Sequence, residues 1–177
     1  MLGVAQGTVR LEEYDPRWPE LAGRELQRVG AALGPLVQRI EHIGSTAVPG
    51  LPAKPILDLA LEVESADQLP ALAIGLAGLG YRAWGEHGLP GRQFFSRGEP
   101  VTHHVHAVVG GSPHWAVWLR FRDRLRADAA DRAAYAACKR QLARAHPDDR
   151  RSYTRGKDDL VTAILARASA LRIDETG

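Results

Sequence analysis

The sequence predicts an α+β fold, a mixed β-sheet with flanking helices followed by a C-terminal helical portion. Three observations predict it. Apolar residues recur at three- and four-residue spacing over 18–37, as in an amphipathic helix. Short apolar or β-branched runs bounded by Gly and Pro then continue to Gly110-Gly111, as strands and turns do. Beyond residue 112 helical spacing returns and persists. The sheet core is expected over about 8–111 and the helical portion over about 112–172, within one domain covering 1–177. A chain of 177 residues can bury the core that this requires.

Taken in order, residues 8–11 alternate weakly and read as an edge strand, ended by Tyr14-Asp15-Pro16. Asp15 before Pro16 reads as a helix start, because the carboxylate can cap free N–H groups and proline lacks a donor that would be orphaned there. Trp18, Leu21, Ala22, Leu26, Val29, Leu33 and Val37 form the apolar stripe, ending near Gly34-Pro35. The runs 37–43 and 56–63 read as two central strands, apolar enough for a sheet covered on at least one face. Ser65 with Gln68 has capping-box spacing for a helix to about Gly78, and 81–84 reads as a third short strand. Gln93-Phe94-Phe95-Ser96 and 101–109 read as the arms of a hairpin. Ser112-Pro113 opens a helix with Trp115, Trp118, Leu119, Arg122 and Leu125 along one side. A second helix is expected over 131–145, and a third from 153 or 158 to 171. The last residues, 174–177, are expected to be frayed.

Composition narrows the partners. A net charge of +2, from 23 basic and 21 acidic residues, is too balanced for a long nucleic acid. No apolar run approaches the ~18 residues of a membrane span, and the N-terminus shows no signal pattern. The single Cys138 excludes an internal disulfide and reads as helix packing. A cytoplasmic protein is expected.

The chemistry concentrates in residues 40–63, IEHIGSTAVPGLPAKPILDLALEV. A Gly44-Ser45 turn leaves one strand and Asp58 enters the next. Glycine lets backbone approach an anion closely, serine adds a donor, and a carboxylate can hold a divalent metal. Alternation places Asp58, Ala60 and Glu62 on one face. Alternate residues on a strand stand about 6 to 7 Å apart, so Glu62 lies about 13 Å from Asp58 and cannot share its metal. Glu62 is expected to face solvent. In His103-His104-Val105-His106, alternation groups His104 with His106 and turns His103 away, and such a pair can chelate one ion. Lys54 is the leading candidate for an anion contact, while Arg97 reads as ordinary surface charge. There is neither a P-loop ending after Gly44 nor a G-x-S-x-G elbow.

The run EHIGSTAVPGLPAKPILDL resembles the signature of the GrpB family, whose members resemble the nucleotidyltransferase superfamily in fold. HHVHAVV is similar to the family's histidine strand, and Arg92 matches an arginine that precedes it. Asp123, Leu125 and Arg126, then Tyr135, Lys139, Tyr153 and Lys157, match the family's helical end, so the resemblance covers nearly the whole chain. The superfamily alternates two carboxylates along the second strand; here Asp58 is followed two residues later by Ala60, so the usual metal pair is broken.

The resemblance implies a nucleotide or phosphorylated small molecule as partner. Gly44, Ser45 and Thr46 would hold phosphate, with Lys54, Arg92, Lys139, Tyr153 and Lys157 around it. Asp58, His104 and His106 would be the catalytic and metal-binding groups, with Mg²⁺ or another divalent ion. Two functions stay open, a nucleotidyltransferase and a non-catalytic nucleotide- or phosphometabolite-binding module with a degenerate metal site, with a histidine-metal hydrolase as a third.

Overall fold

The computed structural model describes residues 1–174. Its strands are β1 (Arg39–Ile43), β2 (Leu57–Val63), β3 (Arg82–Ala83), β4 (Arg92–Arg97) and β5 (His103–Val109). They form one sheet in the order β1-β2-β5-β4-β3. β2 and β5 run parallel, and the other neighbours are antiparallel. The helices are α1 (Trp18–Leu33), α2 (Leu69–Gly78), α3 (Pro113–Ala127), α4 (Ala129–Ala145), α5 (Arg150–Arg155) and α6 (Asp158–Asp174). Among the described residues no helix is long and apolar enough to cross a membrane.

Strand alternation divides the sheet into two unlike faces. Leu57, Leu59, Leu61 and Val63 meet Trp18, Ala22, Val29 and Leu33 of α1 and Leu72 and Leu76 of α2. This is the main core, where fully burying one leucine contributes roughly 1.5–3 kcal/mol. On the other face Ile43, Ala60 and Val108 cluster with Trp115 of α3. A third cluster joins Val48 and Leu51 of the β1–β2 loop to Leu125, Tyr135, Ala136 and Ile164. Polar ties add to it. Arg122 donates to Glu41 and to the His42 carbonyl, and Arg126 donates to the Ala47 carbonyl at 2.9 Å. The helical portion is thereby held against the loop that leads into Asp58.

The structure corrects some expectations. The run 37–43 supplies an edge strand, because β5 takes the place on the far side of β2. Burial explains the choice: β5 is almost wholly buried, whereas β1 begins with an exposed Arg39. Residues 8–11 form no strand. Val9 is buried and its N–H donates to the Pro147 carbonyl at 2.7 Å, which turns the segment toward the helical portion. Asp15 accepts from the Arg17 N–H, but the helix starts at Trp18. Ser65 makes no capping bond; Gln68 instead accepts from the Glu64 N–H at 2.9 Å, and α2 begins at Leu69. Asp128 caps α4, which starts before Asp131. The third predicted helix is two, α5 and α6. Of the end expected to fray, 175–177 lie outside the described residues.

Two charged residues are also corrected. Glu62 is 3% exposed and is held bidentately by Arg39, whose guanidinium lies 4.5 Å from the Trp115 ring centroid. Arg97 is no free surface charge: on the α1 face it donates to Glu25 at 2.9 Å and meets His103 at 3.0 Å. Tyr81 and Arg28 also donate to Glu25, so this buried carboxylate is fully partnered.

Candidate functional site

The parallel register of β2 and β5 sets His104 beside Asp58 and His106 beside Ala60. Both rings project on the face of Asp58, while His103 turns away to Glu25. His104 Nδ1 lies 2.8 Å from Asp58 Oδ1, and His106 Nε2 lies 3.5 Å from the same oxygen. The remaining ring nitrogens face arginines. His104 Nε2 is 3.2 Å from Arg150 Nη2, and His106 Nδ1 is 3.3 Å from Arg92 Nη1. A guanidinium can only donate, so each imidazole accepts from its arginine and donates to Asp58. Burial would raise the Asp58 carboxyl, but the two imidazole donors outweigh it and hold Asp58 well below the usual carboxylate range. Burial likewise holds His104 below the ordinary imidazole value, against the attraction of Asp58. Phe94 from β4 backs both rings, with centroids 5.0 and 5.2 Å away.

Gly44 is required by this arrangement. Its φ is +73°, and a Cβ built there would stand 2.9 Å from both Cβ and Cγ of Asp58. The anion that this glycine admits closely is the protein's own carboxylate.

A cleft of about 1770 Å³ opens over the pair and extends along β4 to Arg97; Lys54, Arg92, Lys139, Arg150 and Lys157 are five of the nine basic residues that line it. None of these five cations forms an ion pair among the described residues, although the protein has many elsewhere. Lys54 and Lys157 stand over the Tyr153 ring at 5.4 and 4.5 Å, and Lys139 over Tyr135 at 5.3 Å. Burial, reinforced by Arg150 and Lys157, lowers the Lys54 amine to about 7. Lys139 is buried at the cleft floor, where Nζ donates to the Pro52 carbonyl at 2.5 Å. Burial there, with Lys157 and Lys54 nearby, drives its amine well down. Arg92 donates from Nη2 to the Glu86 and His87 carbonyls, while its buried Nε has no partner.

The residues singled out in the sequence thus surround one cleft, with different roles. Ser45 lies beside the Tyr135 hydroxyl. Thr46 has its hydroxyl committed, 2.9 Å from His42 Nε2 and donating to the Ile56 carbonyl at 3.3 Å. Tyr153, 1% exposed, acts as a platform for the lysines. Sequence reasoning missed Arg150, which closes the His104 relay. Its signal was Asp149, whose side chain caps α5 through the Ser152 N–H and so presents Arg150 as the first helical residue.

One ligand atom each from Asp58, His104 and His106 lie within 4.8 Å of one another, a spacing compatible with one ion. The donor set does not fit a resident Mg²⁺, which takes oxygen ligands. Asp58 is the lone carboxylate of the set, Ala60 is fully buried, and Glu62 is turned to Arg39. The nitrogens nearest Asp58 also present hydrogens rather than lone pairs. A softer ion would need both imidazoles in the opposite tautomer, with N–H groups turned against Arg92 and Arg150.

The family model described as GrpB protein matches residues 8–167. The chain belongs to the GrpB family. A crystal structure described as conserved protein GrpB from Enterococcus faecalis superposes with a TM-score of 0.83 at 37% identity, covering 90% of this chain and 96% of that one. Its likeness supports the mixed sheet with flanking helices. Among curated relatives, a UPF0157 protein of Pseudomonas aeruginosa is 44% identical over 161 residues, covering 88% of this chain and 66% of the relative. UPF0157 protein YqkA of Bacillus subtilis is 39% identical over 149 residues, covering 84% of this chain and 43% of the relative. The GrpB chain therefore spans just under two thirds of the first relative and under half of the second. Within it, the Gly44-Ser45 turn and the histidine strand that carried the sequence resemblance meet at Asp58.

Proposed function

We propose that this GrpB-family chain binds a phosphorylated small molecule, nucleotides included, in the cleft over Asp58. One observation carries the reading: Lys54, Arg92, Arg150 and Lys157 line a cleft whose central carboxylate already accepts from two imidazoles, and none of the four has an ion-pair partner among the described residues. Basic residues left unpaired in this way are matched by a multiply charged anion, which arginine grips bidentately and lysine as a point charge. The basicity is local, since the whole chain carries only +2.

Nucleotidyl transfer with Mg²⁺ is the second reading, favoured by the convergence of Asp58 with two histidines. It asks one carboxylate to do what two or three do in two-metal sites. Binding without a resident metal is the reading that the geometry supports better.

Thermal shift and calorimetric titration with ATP, pyrophosphate and inorganic phosphate, each with EDTA and with Mg²⁺, test this. The expected result is a rise in Tm with EDTA present that is lost in Arg150→Ala and Lys54→Met. No shift by any of the three overturns the reading. Mg²⁺-dependent release of pyrophosphate from ATP with a nucleotidylated product, lost in Asp58→Asn, would establish transfer in its place.

A further inference from the structure

The relay through Asp58 gives His104 an orientation that phosphate binding alone does not need. We infer that His104 Nε2 is a nucleophile that accepts a phosphorus group from a phosphoanhydride and holds it as phosphohistidine. The inference rests on the reading of the cleft as a phosphate site.

Three observations carry it. His104 Nδ1–H is engaged by Asp58 at 2.8 Å, which leaves the lone pair on Nε2. That lone pair points at Arg150 Nη2, 3.2 Å away, and the cleft behind it is lined by Lys54 and Lys157. These cations can hold the phosphate oxygens as the guanidinium exchanges nitrogen for oxygen. Asp58 is half-buried beside these groups, pairs among the described residues only with the two rings, and matches the positive charge that attack creates on imidazole. His106 is placed differently. It stands 3.5 Å from Asp58, and its free nitrogen faces an arginine already tied to two backbone carbonyls.

In the step, the Nε2 lone pair forms the N–P bond. The bond from phosphorus to the bridging oxygen breaks, and its electron pair leaves with the departing phosphate. Nδ1 keeps its own proton, donated in a hydrogen bond to Asp58, throughout. His104 is the reacting group, and Asp58 and Arg150 position it.

Phosphoramidate tests this without a known donor, because it phosphorylates imidazole nitrogen and releases ammonia. The whole chain is incubated with it, and phosphohistidine is mapped by mass spectrometry under alkaline conditions. His104 is expected to react roughly tenfold or more faster than His87, which is exposed at the same cleft, and than the half-exposed His146. Asp58→Asn should bring the His104 rate down to theirs while leaving His87 unchanged. Reaction at His104 no faster than at His87, or reaction at His106 in its place, overturns the inference. Pyrophosphate Tm shifts on the same samples separate the two readings. A shift with His104 unmodified removes the nucleophile and keeps the phosphate site; a chain that neither shifts nor reacts loses both.

Discussion

Gly44 and Asp58 compete for one volume: a Cβ at position 44 would come within 2.9 Å of the Asp58 Cγ. Gly44→Ala therefore carries two costs, a backbone at φ +73° and ψ −174° that is essentially reserved for glycine, about 1–3 kcal/mol, and displacement of the carboxylate. Gly50 is the control, with φ +76° and open space around it. Gly50→Ala should lower Tm by about 2–8 °C, from a left-handed backbone cost of about 1–2 kcal/mol and the size of the chain. Gly44→Ala should lower it further and abolish the phosphate-induced shift. Equal losses in the two variants would show that the turn and the carboxylate are independent.

Asp58 makes acid stability a readout of the site. Its folded pKa lies below the unfolded value, so its contribution is present above about pH 4 and is lost as pH falls. Urea unfolding below about pH 4 should show a steeper loss in the wild type than in Asp58→Asn. Parallel slopes would mean that the two imidazoles do not hold the carboxylate ionised.

Lys54 gives the opposite dependence for ligand. Its amine is lowered to about 7, and a bound anion would raise it again. Pyrophosphate affinity should therefore fall as pH rises above 7, by at most about tenfold per unit for one proton. Lys54→Met should bind more weakly and flatten this profile between pH 7 and 9. A slope unchanged by the substitution would assign the proton to another group.

The α1 face should report on stability alone. Arg97→Ala leaves Glu25 with Arg28 and Tyr81, so its cost should fall below the roughly 3–5 kcal/mol of stranding a buried charge. Its pyrophosphate affinity should match that of the wild type. Arg97 also lines the far part of the cleft, so loss of binding in this variant would mean that its guanidinium leaves Glu25 to contact the anion directly.

What could be read in the sequence followed from geometry that the backbone imposes. The two-residue strand period placed His104 with His106 and turned His103 away, as found, because alternation holds whatever the strand's neighbours are. The roles of Glu62 and Arg97 were not legible. Their partners, Arg39 and Glu25, lie 23 and 72 residues away, and pairing decides whether such charges are buried. The edge position of β1 was hidden for the same reason: insertion of β5 beside β2 is a long-range parallel pairing without local signature. Arg150 belongs to the helical portion and reaches the sheet only through tertiary packing.

That insertion has a further consequence. Asp58 and His104 are 46 residues apart, and they become neighbours only when the last strand of the chain threads between two earlier ones. Fraying at either rim of the sheet leaves the pair intact, and separating it requires the middle of the sheet to open. A bound anion should then slow amide exchange in β2 and β5 by one common factor, set by ligand concentration over Kd. The site would act as a clasp on the entire chain, with occupancy written into the slowest-exchanging amides.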